Sequence, residues 1–470
     1  MRPMTGFTSK TILILCASIL CHTAAFAAVP VVLLDGDRLT LDVKNQPLST
    51  VLGMLSYQGI RIRIDPRINP QITATFKSRP IGAAMAGILR SVDYALIWRK
   101  DKATTPDEDP RLWEIRIFYK GQEGRIKPLK KNKNLAVVED ADGGYHVKDT
   151  LLLQLTPAMT ESALAALLAR LGATIIDAFP PLGIIQIRLP YGSNVPNILE
   201  SLANYPGIRN AEPDYVHALK GGFPEKRDPF QASPLPSRSP YANATPIAVL
   251  DSGLLTEFVD SPYVKAAYDA FSPGDDIGDS LGHGTQMALI ASGAVNPLGA
   301  DNDAGANSQV VAIRAFDDNG YTSTYTLLHS IDYAAANGAR VVSMSWGSNR
   351  SSHILDATIE YAASKGMILI AAAGNDPTGD PVYPAAYDNV IGVGALAADG
   401  KPWNQSNYGD FVSLSAPGVA DLPVGYQGTP GTYAGTSIAA AYTARRVAAI
   451  LDQTPNADRE KIINLLLNRE

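Results

Sequence analysis

Between residues 245 and 470, five compact apolar runs alternate with stretches of helical periodicity. The runs are Ile247–Leu250, Val310–Ala315, Val341–Trp346, Met367–Ala373 and Val390–Val393; the helical stretches lie near Gly284–Ala294, Tyr325–Ala336, Ile354–Ser364 and Thr436–Leu451. A strand buried on both faces reads as an unbroken apolar run, whereas a strand with one wet face alternates. The pattern predicts an α/β domain built on a doubly wound, mostly parallel sheet. Such sheets place their sites at the carboxyl ends of the strands.

Four polar residues stand at those ends. Asp251 follows the run Ile247–Leu250, within Asp251-Ser252-Gly253. His283 lies in Gly282-His283-Gly284-Thr285, where a helix is expected to start. Asn375 ends Ala371-Ala372-Ala373-Gly374-Asn375, and Ser437 lies in Gly435-Thr436-Ser437 at the start of an alanine-rich helix. A serine hydroxyl is a poor nucleophile unless a base takes its proton, and the base needs an orienting carboxylate. Histidine exchanges a proton near neutral pH. Asp251 can hold one imidazole nitrogen and leave the other for Ser437. A serine at a helix start offers its own N–H to a developing oxyanion, with the helix dipole behind it, and Asn375 can add a side-chain donor. Singly, these triplets are ordinary turns and helix caps. In the order Asp, His, Asn, Ser they describe nucleophilic acyl transfer.

The motifs AVLDSG, DSLGHGTQMA, AAAGN and GTSIAAA make residues 247–470 resemble the subtilisin-like serine peptidases (subtilases, family S8). The resemblance implies a subtilisin-like fold with Asp251 orienting, His283 as general base and acid, Ser437 as nucleophile and Asn375 as oxyanion donor. Ser343–Gly347 (SMSWG) matches the family's extended substrate-binding segment. The resemblance implies that Ser345, Trp346 and Gly347, with Gly374, contact a substrate added as a β-strand. Three positions depart from the family pattern: Gln286 replaces a histidine, Ile438 a methionine, and Ala441 a proline. None removes a reacting atom.

Upstream, residues 149–219 read as β-α-β-β-α-β, a ferredoxin-like α+β arrangement. Helical faces are Leu164, Leu167, Leu168, Leu171 and Val195, Ile198, Leu199, Leu202. This block resembles the I9-like inhibitory propeptide of subtilases, with Ala211–Leu219 as the segment that lies in the substrate cleft. Residues 220–246 hold six prolines and read as an exposed connector. The expectation is a zymogen that hydrolyses peptide bonds, cleaves itself near Leu219 or within the connector, and keeps its own propeptide as inhibitor.

Residues 29–119 read as a small α+β module. Its pattern, LTLDVKNQPLSTVL followed by IRIRIDPRI, resembles the short N-terminal domain of secretins and TonB-dependent receptors. That resemblance implies an envelope protein partner and a destination in the periplasm, outer membrane or medium of a Gram-negative bacterium. Residues 1–27 read as an export signal: Arg2 and Lys10, an apolar run Thr11–Cys21, then Ala25-Phe26-Ala27. The run is short of the ~20 residues a membrane span needs. Cys16 and Cys21 are the chain's two cysteines, so a processed chain has no thiol nucleophile and no disulfide.

With 40 basic and 46 acidic residues, net charge −6, the chain lacks the footprint of a nucleic-acid or polybasic membrane-surface protein. Lys127, Lys130, Lys131 and Lys133 fall in a polar stretch, 120–148, read as a solvated linker. No cofactor is required by this chemistry and no metal ligand set is assigned. Asp301-Asn302-Asp303-Ala304-Gly305 reads first as an Asx turn and second as a calcium loop. The competing function is a pseudopeptidase that acts as an envelope binding or signalling protein.

Overall fold

The computed structural model describes residues 31–35, 37–48, 51, 52, 55, 60–90, 92–99, 111–129, 135–140, 143–219, 223, 224, 244–300, 308–424 and 430–468. The expected export signal, most of the connector and the Asp301–Gly305 loop lie outside them. The chain divides into two compact units, one holding Thr23–Lys133 and Ser272–Asp276, the other Asn134–Phe271 and Ile277–Glu470.

The smaller unit has strands β1 (Val31–Asp35), β2 (Arg38–Pro47), β3 (Arg61–Ile64), β4 (Gln71–Pro80), β5 (Asp93–Arg99), β6 (Arg111–Phe118) and β7 (Lys127–Pro128). They form a three-stranded sheet in the order β1-β2-β4 and a four-stranded sheet in the order β5-β6-β3-β7. Helix α1 (Ile81–Ile88) follows Pro80 and buries Ile81, Ala84 and Met85. Leu48, Val51, Leu52 and Leu55, the other apolar periodicity, are helical and fully buried in the same core.

In the larger unit, β8 (Val137–Glu139) pairs antiparallel with β9 (Tyr145–Leu155). The stretch 120–148 is therefore not all linker: β7, β8 and the start of β9 fall in it. These are short strands whose residues are charged or half exposed, so no apolar period marks them. After β9 come α2 (Glu161–Leu171), β10 (Thr174–Phe179), β11 (Ile184–Arg188), α3 (Val195–Leu202) and β12 (Ile208–Ala218), in the β-α-β-β-α-β order read from the sequence. Alternate residues of a strand point to opposite faces. Leu151 and Leu153 pack with Leu164, Leu167 and Leu168 beneath the block's own helices. Leu152, with Phe179 and Ile184, packs on Tyr325, Leu328 and Ile354 of the following domain.

That domain contains β13 (Phe223–Pro224), β14 (Ile247–Asp251), β15 (Val264–Asp269), β16 (Val310–Arg314), β17 (Tyr321–Ser323), β18 (Val341–Met344), β19 (Ile368–Ala372), β20 (Val390–Leu396), β21 (Val412–Pro417), β22 (Val419–Leu422) and β23 (Gly431–Ala434). Its main helices are α4 (His283–Ser292), α5 (Thr324–Ala336), α6 (His353–Ser364), α7 (Thr436–Gln453) and α8 (Arg459–Leu467). Seven strands form one sheet, β15-β16-β14-β18-β19-β20-β21, with parallel pairing throughout. Ile247 and Val249 face α4 and α7; Ala248 and Leu250 face α5 and α6. Both faces are thus covered, as the unbroken apolar runs required. Ala439, Ala440, Ala441 and Ala444 are fully buried, and their small side chains let α7 lie close against the sheet. β12 pairs antiparallel with β17, so the sheet of the upstream block runs on into this domain.

Candidate active site

Asp251 is the last residue of β14, and His283 the first of α4. Two glycines let these elements meet: a Cβ on Gly284 would collide with the backbone of Gly253, whose φ of +125° also excludes most side chains. Asp251 Oδ1 lies 2.7 Å from His283 Nδ1 and accepts the Ser252 N–H at 2.8 Å. A carboxylate only accepts, so Nδ1 carries the hydrogen. Both residues are buried, and His283 Nε2 makes no hydrogen bond.

Burial works to lower the His283 pKa, but the charge of Asp251, the hydrogen bond to it and the charge of Asp279 outweigh burial. The imidazole is held above its ordinary value.

Asp279 fixes the start of α4. Its carboxylate accepts the N–H of Gly282 and of Thr285, each at 2.8 Å, the Thr285 hydroxyl at 2.7 Å and the Ser252 hydroxyl at 2.8 Å. Free N–H groups of a helix's first turn need such an acceptor. Sequence reading did not single out Asp279. The available signal was an Asp a few residues before a helix start, in Asp279-Ser280-Leu281-Gly282-His283.

Ser437 is the second residue of α7 and is buried. Its Oγ donates to the Ser345 carbonyl at 3.4 Å. A bond from Ser437 to His283 is not formed in this state. A serine hydroxyl is a rotor, and hydrogen bonds of this kind are often loose without substrate. Asn375 follows β19, and its Oδ1 accepts both the N–H and the hydroxyl of Thr436, at 2.9 and 2.8 Å. The side chain is thereby fixed with its amide nitrogen left to donate.

Ser345, Trp346, Gly347 and Gly374 all line one cavity of about 330 Å³, together with Asn375 and Ser437. Trp346 is buried and its Nε1 has no hydrogen-bond partner. Gly374 N–H donates to the Thr436 hydroxyl at 3.2 Å. The expected substrate-binding residues thus border the same space as the nucleophile candidate. A larger cavity of about 520 Å³ lies elsewhere, between Gln154, Arg209 and Asn210 and the α6 residues His353, Asp356 and Glu360. Its lining also holds Ser364, whose hydroxyl donates to the Tyr361 carbonyl at 2.7 Å.

The end of β12 reaches this site. Val216, His217 and Ala218 pair with Ser323, Thr322 and Tyr321 on one edge, and Ala218 bridges Gly347 on the other. Two buried acids on β12 serve helix starts of the neighbouring domain. Glu212 accepts the Ser352 hydroxyl and the N–H groups of His353 and Ile354 at α6. Asp214 accepts the Tyr325 N–H of α5 at 3.0 Å and the Gln186 amide at 2.8 Å. Burial raises the pKa of Glu212, pushes that of Asp214 up to about 6 and lowers that of His217 to about 4.

Candidate reacting groups at strand ends and helix starts of a doubly wound sheet point to a class, the α/β serine hydrolases. Residues 242–470 match the Subtilase family, and residues 132–214 match the Fervidolysin N-terminal prodomain. The chain is 30% identical over 324 residues to the thermophilic serine proteinase of Bacillus sp. (strain AK1), covering 67% of this chain and 80% of that protein. It is 36% identical over 210 residues to the minor extracellular protease Epr of Bacillus subtilis (strain 168), covering 44% of this chain and 32% of Epr. The crystal structure of fervidolysin from Fervidobacterium pennivorans shares the fold, with a TM-score of 0.56 at 24% identity. That match covers 72% of this chain and 60% of fervidolysin. The chain belongs to the subtilase family of serine peptidases and carries a fervidolysin-like prodomain. Neither family match covers residues 29–119.

Proposed function

We propose that the chain is an exported serine endopeptidase made as a self-processing zymogen. One observation carries the reading: the buried Asp251–His283 hydrogen bond of 2.7 Å leaves His283 Nε2 unpartnered in the domain that holds Ser437 and the anchored Asn375. In this reading His283 Nε2 takes the Ser437 proton as Oγ bonds to the substrate carbonyl carbon. The oxyanion is met by the Asn375 amide and the Ser437 N–H. His283 then returns the proton to the departing nitrogen, and water hydrolyses the ester by the same route. Ser345–Gly347 and Gly374 hold the substrate backbone, and no organic cofactor takes part. The β12 end, seated against Gly347, acts as the intramolecular inhibitor.

The pseudopeptidase reading has one observation in its favour, the Ser437 hydroxyl turned to Ser345 O rather than to histidine. A fluorophosphonate probe separates the two. Labelling of the wild type but not of Ser437→Ala supports the peptidase; no labelling of either overturns it.

Export rests on the signal-like residues 1–27 and on a relative named as extracellular. We assign residues 29–119 to docking an envelope partner, on sequence pattern alone; the Gram-negative setting has no further support. The domain limits 149–219 and 247–470 are kept as proposals. Calcium at Asp301–Gly305 rests on composition, and unchanged thermal stability in EDTA would dispose of it.

A further inference from the structure

The end of β12 lies where the proposed function puts a substrate strand, between two edges of the peptidase domain. His217 pairs with Thr322 of β17, and Ala218 bridges Gly347 in antiparallel sense. Antiparallel pairing directs the chain from Gly347 toward Ser345, whose carbonyl the Ser437 hydroxyl reaches. A side chain in the place of His217 therefore lies on the acyl side of a bond presented to Ser437.

Side chains alternate along a strand. Val216 and Ala218 share one face, and His217 takes the other. Its ring is 1% exposed and fills a space made by the peptidase domain. Thr324, the first residue of α5, is fully buried and places Oγ1 3.0 Å from His217 Nε2. Ser323 ends β17 and caps α5, so the turn that pairs with the strand also fixes Thr324. The Thr324 hydroxyl gives its own hydrogen to the Tyr215 carbonyl at 3.4 Å, so it accepts one from Nε2–H. Nδ1, then without a hydrogen, faces Ser348 Oγ at 3.5 Å. The Trp346 indole borders the ring, with centroids 5.5 Å apart. Burial lowers the His217 pKa to about 4, so the ring is neutral here. A lysine or arginine in the same space would bear the cost of burying its charge. A phenylalanine would leave both hydroxyls without a nitrogen to meet.

We propose that this space is a substrate pocket selective for histidine. Resting on the peptidase reading above, the enzyme prefers polypeptides with an imidazole at one fixed position on the acyl side of the bond it cuts. His217 is then the chain's own copy of that side chain, and the inhibitory strand holds the cleft by presenting it.

The test is digestion of a peptide library of known sequences by the purified wild-type protein, with the products sequenced by mass spectrometry. Histidine enriched roughly tenfold or more over lysine and phenylalanine at a single position before the cut supports the pocket. Cleavage without that enrichment overturns the pocket and leaves the peptidase reading standing. No cleavage of the library overturns the peptidase reading, and this inference with it. Thr324→Val, which removes the acceptor of Nε2–H, is expected to lose the enrichment, and Ser348→Ala to weaken it. Enrichment unchanged in both variants overturns the assignment of the pocket to these residues.

Discussion

Thr436 gives both of its donors, backbone N–H and hydroxyl, to the single oxygen Oδ1 of Asn375. The residue before the proposed nucleophile therefore orients the proposed oxyanion donor. Asn375→Ala is expected to lower kcat by about 10²–10³, a scale set by a subtilisin, with little change in KM. Steady-state kinetics on a peptide substrate read this directly. An equal rise in KM would place Asn375 in ground-state binding instead. Thr436→Val, which loses the hydroxyl but keeps the N–H, should show a smaller loss of the same kind.

His283 must be neutral to accept a proton. Its pKa is held above the ordinary histidine value, mainly by Asp251 against the opposing effect of burial. The value of kcat/KM should therefore fall as pH drops, with a midpoint above about 6.5. Asp251→Asn removes the counter-charge, so its midpoint should move to lower pH. Its rate should fall by about 10⁴, since the imidazole then favours the wrong tautomer. A pH profile with an unmoved midpoint would contradict the electrostatic account.

Asp279 accepts four hydrogen bonds at the start of α4. Asp279→Ala leaves buried donors without an acceptor and is expected to cost about 1–3 kcal/mol. Calorimetry on the Ser437→Ala background, where autolysis is absent, gives the loss as a lower Tm. Asp279→Asn keeps one acceptor oxygen and should lose less.

Asp214 and His217 lie on the same strand and titrate in opposite senses. The Asp214 carboxyl is raised to about 6 in the folded chain by burial. Its contribution to stability is full below about pH 4 and is lost as pH rises through about 6. The His217 imidazole is lowered to about 4 by burial, so its contribution is full above about pH 6.5 and is lost as pH falls through about 4. On the Ser437→Ala background, Asp214→Asn should gain on the parent as pH rises from 4 to 6, and His217→Gln should gain as pH falls over the same range. Urea midpoints across pH give both slopes; slopes of the same sign would rule the account out.

Much of this was legible in the sequence. Continuous apolar runs marked the central strands because burial on both faces removes alternation, and the Asp251, His283, Asn375 and Ser437 motifs are local. The edge strands β15 and β21 escaped because one side of each is half exposed and polar residues such as Lys265 and Ser413 interrupt the runs. Asp279, Glu212 and Asp214 stood within quoted motifs, but each has backbone N–H groups among its partners. Three of those N–H groups, of His353, Ile354 and Tyr325, belong to the following domain, and a backbone N–H carries no letter in a sequence. The turn of the Ser437 hydroxyl toward Ser345 is a rotamer choice, which residue order does not encode.

Glu212 and Asp214 sit two residues apart on β12, with only Pro213 between them, and finish the starts of α6 and α5. A strand repeats its facing every second residue, so this spacing sets one gauge that a partner domain must match. Exchange of prodomains between relatives then becomes a fitting problem with a simple rule. A foreign prodomain without two acids at alternate positions, at the same distance upstream of the strand end at Ala218, would leave the starts of α6 and α5 without these acceptors. A relative that differs there is expected to bind this peptidase less tightly, however similar its reacting groups.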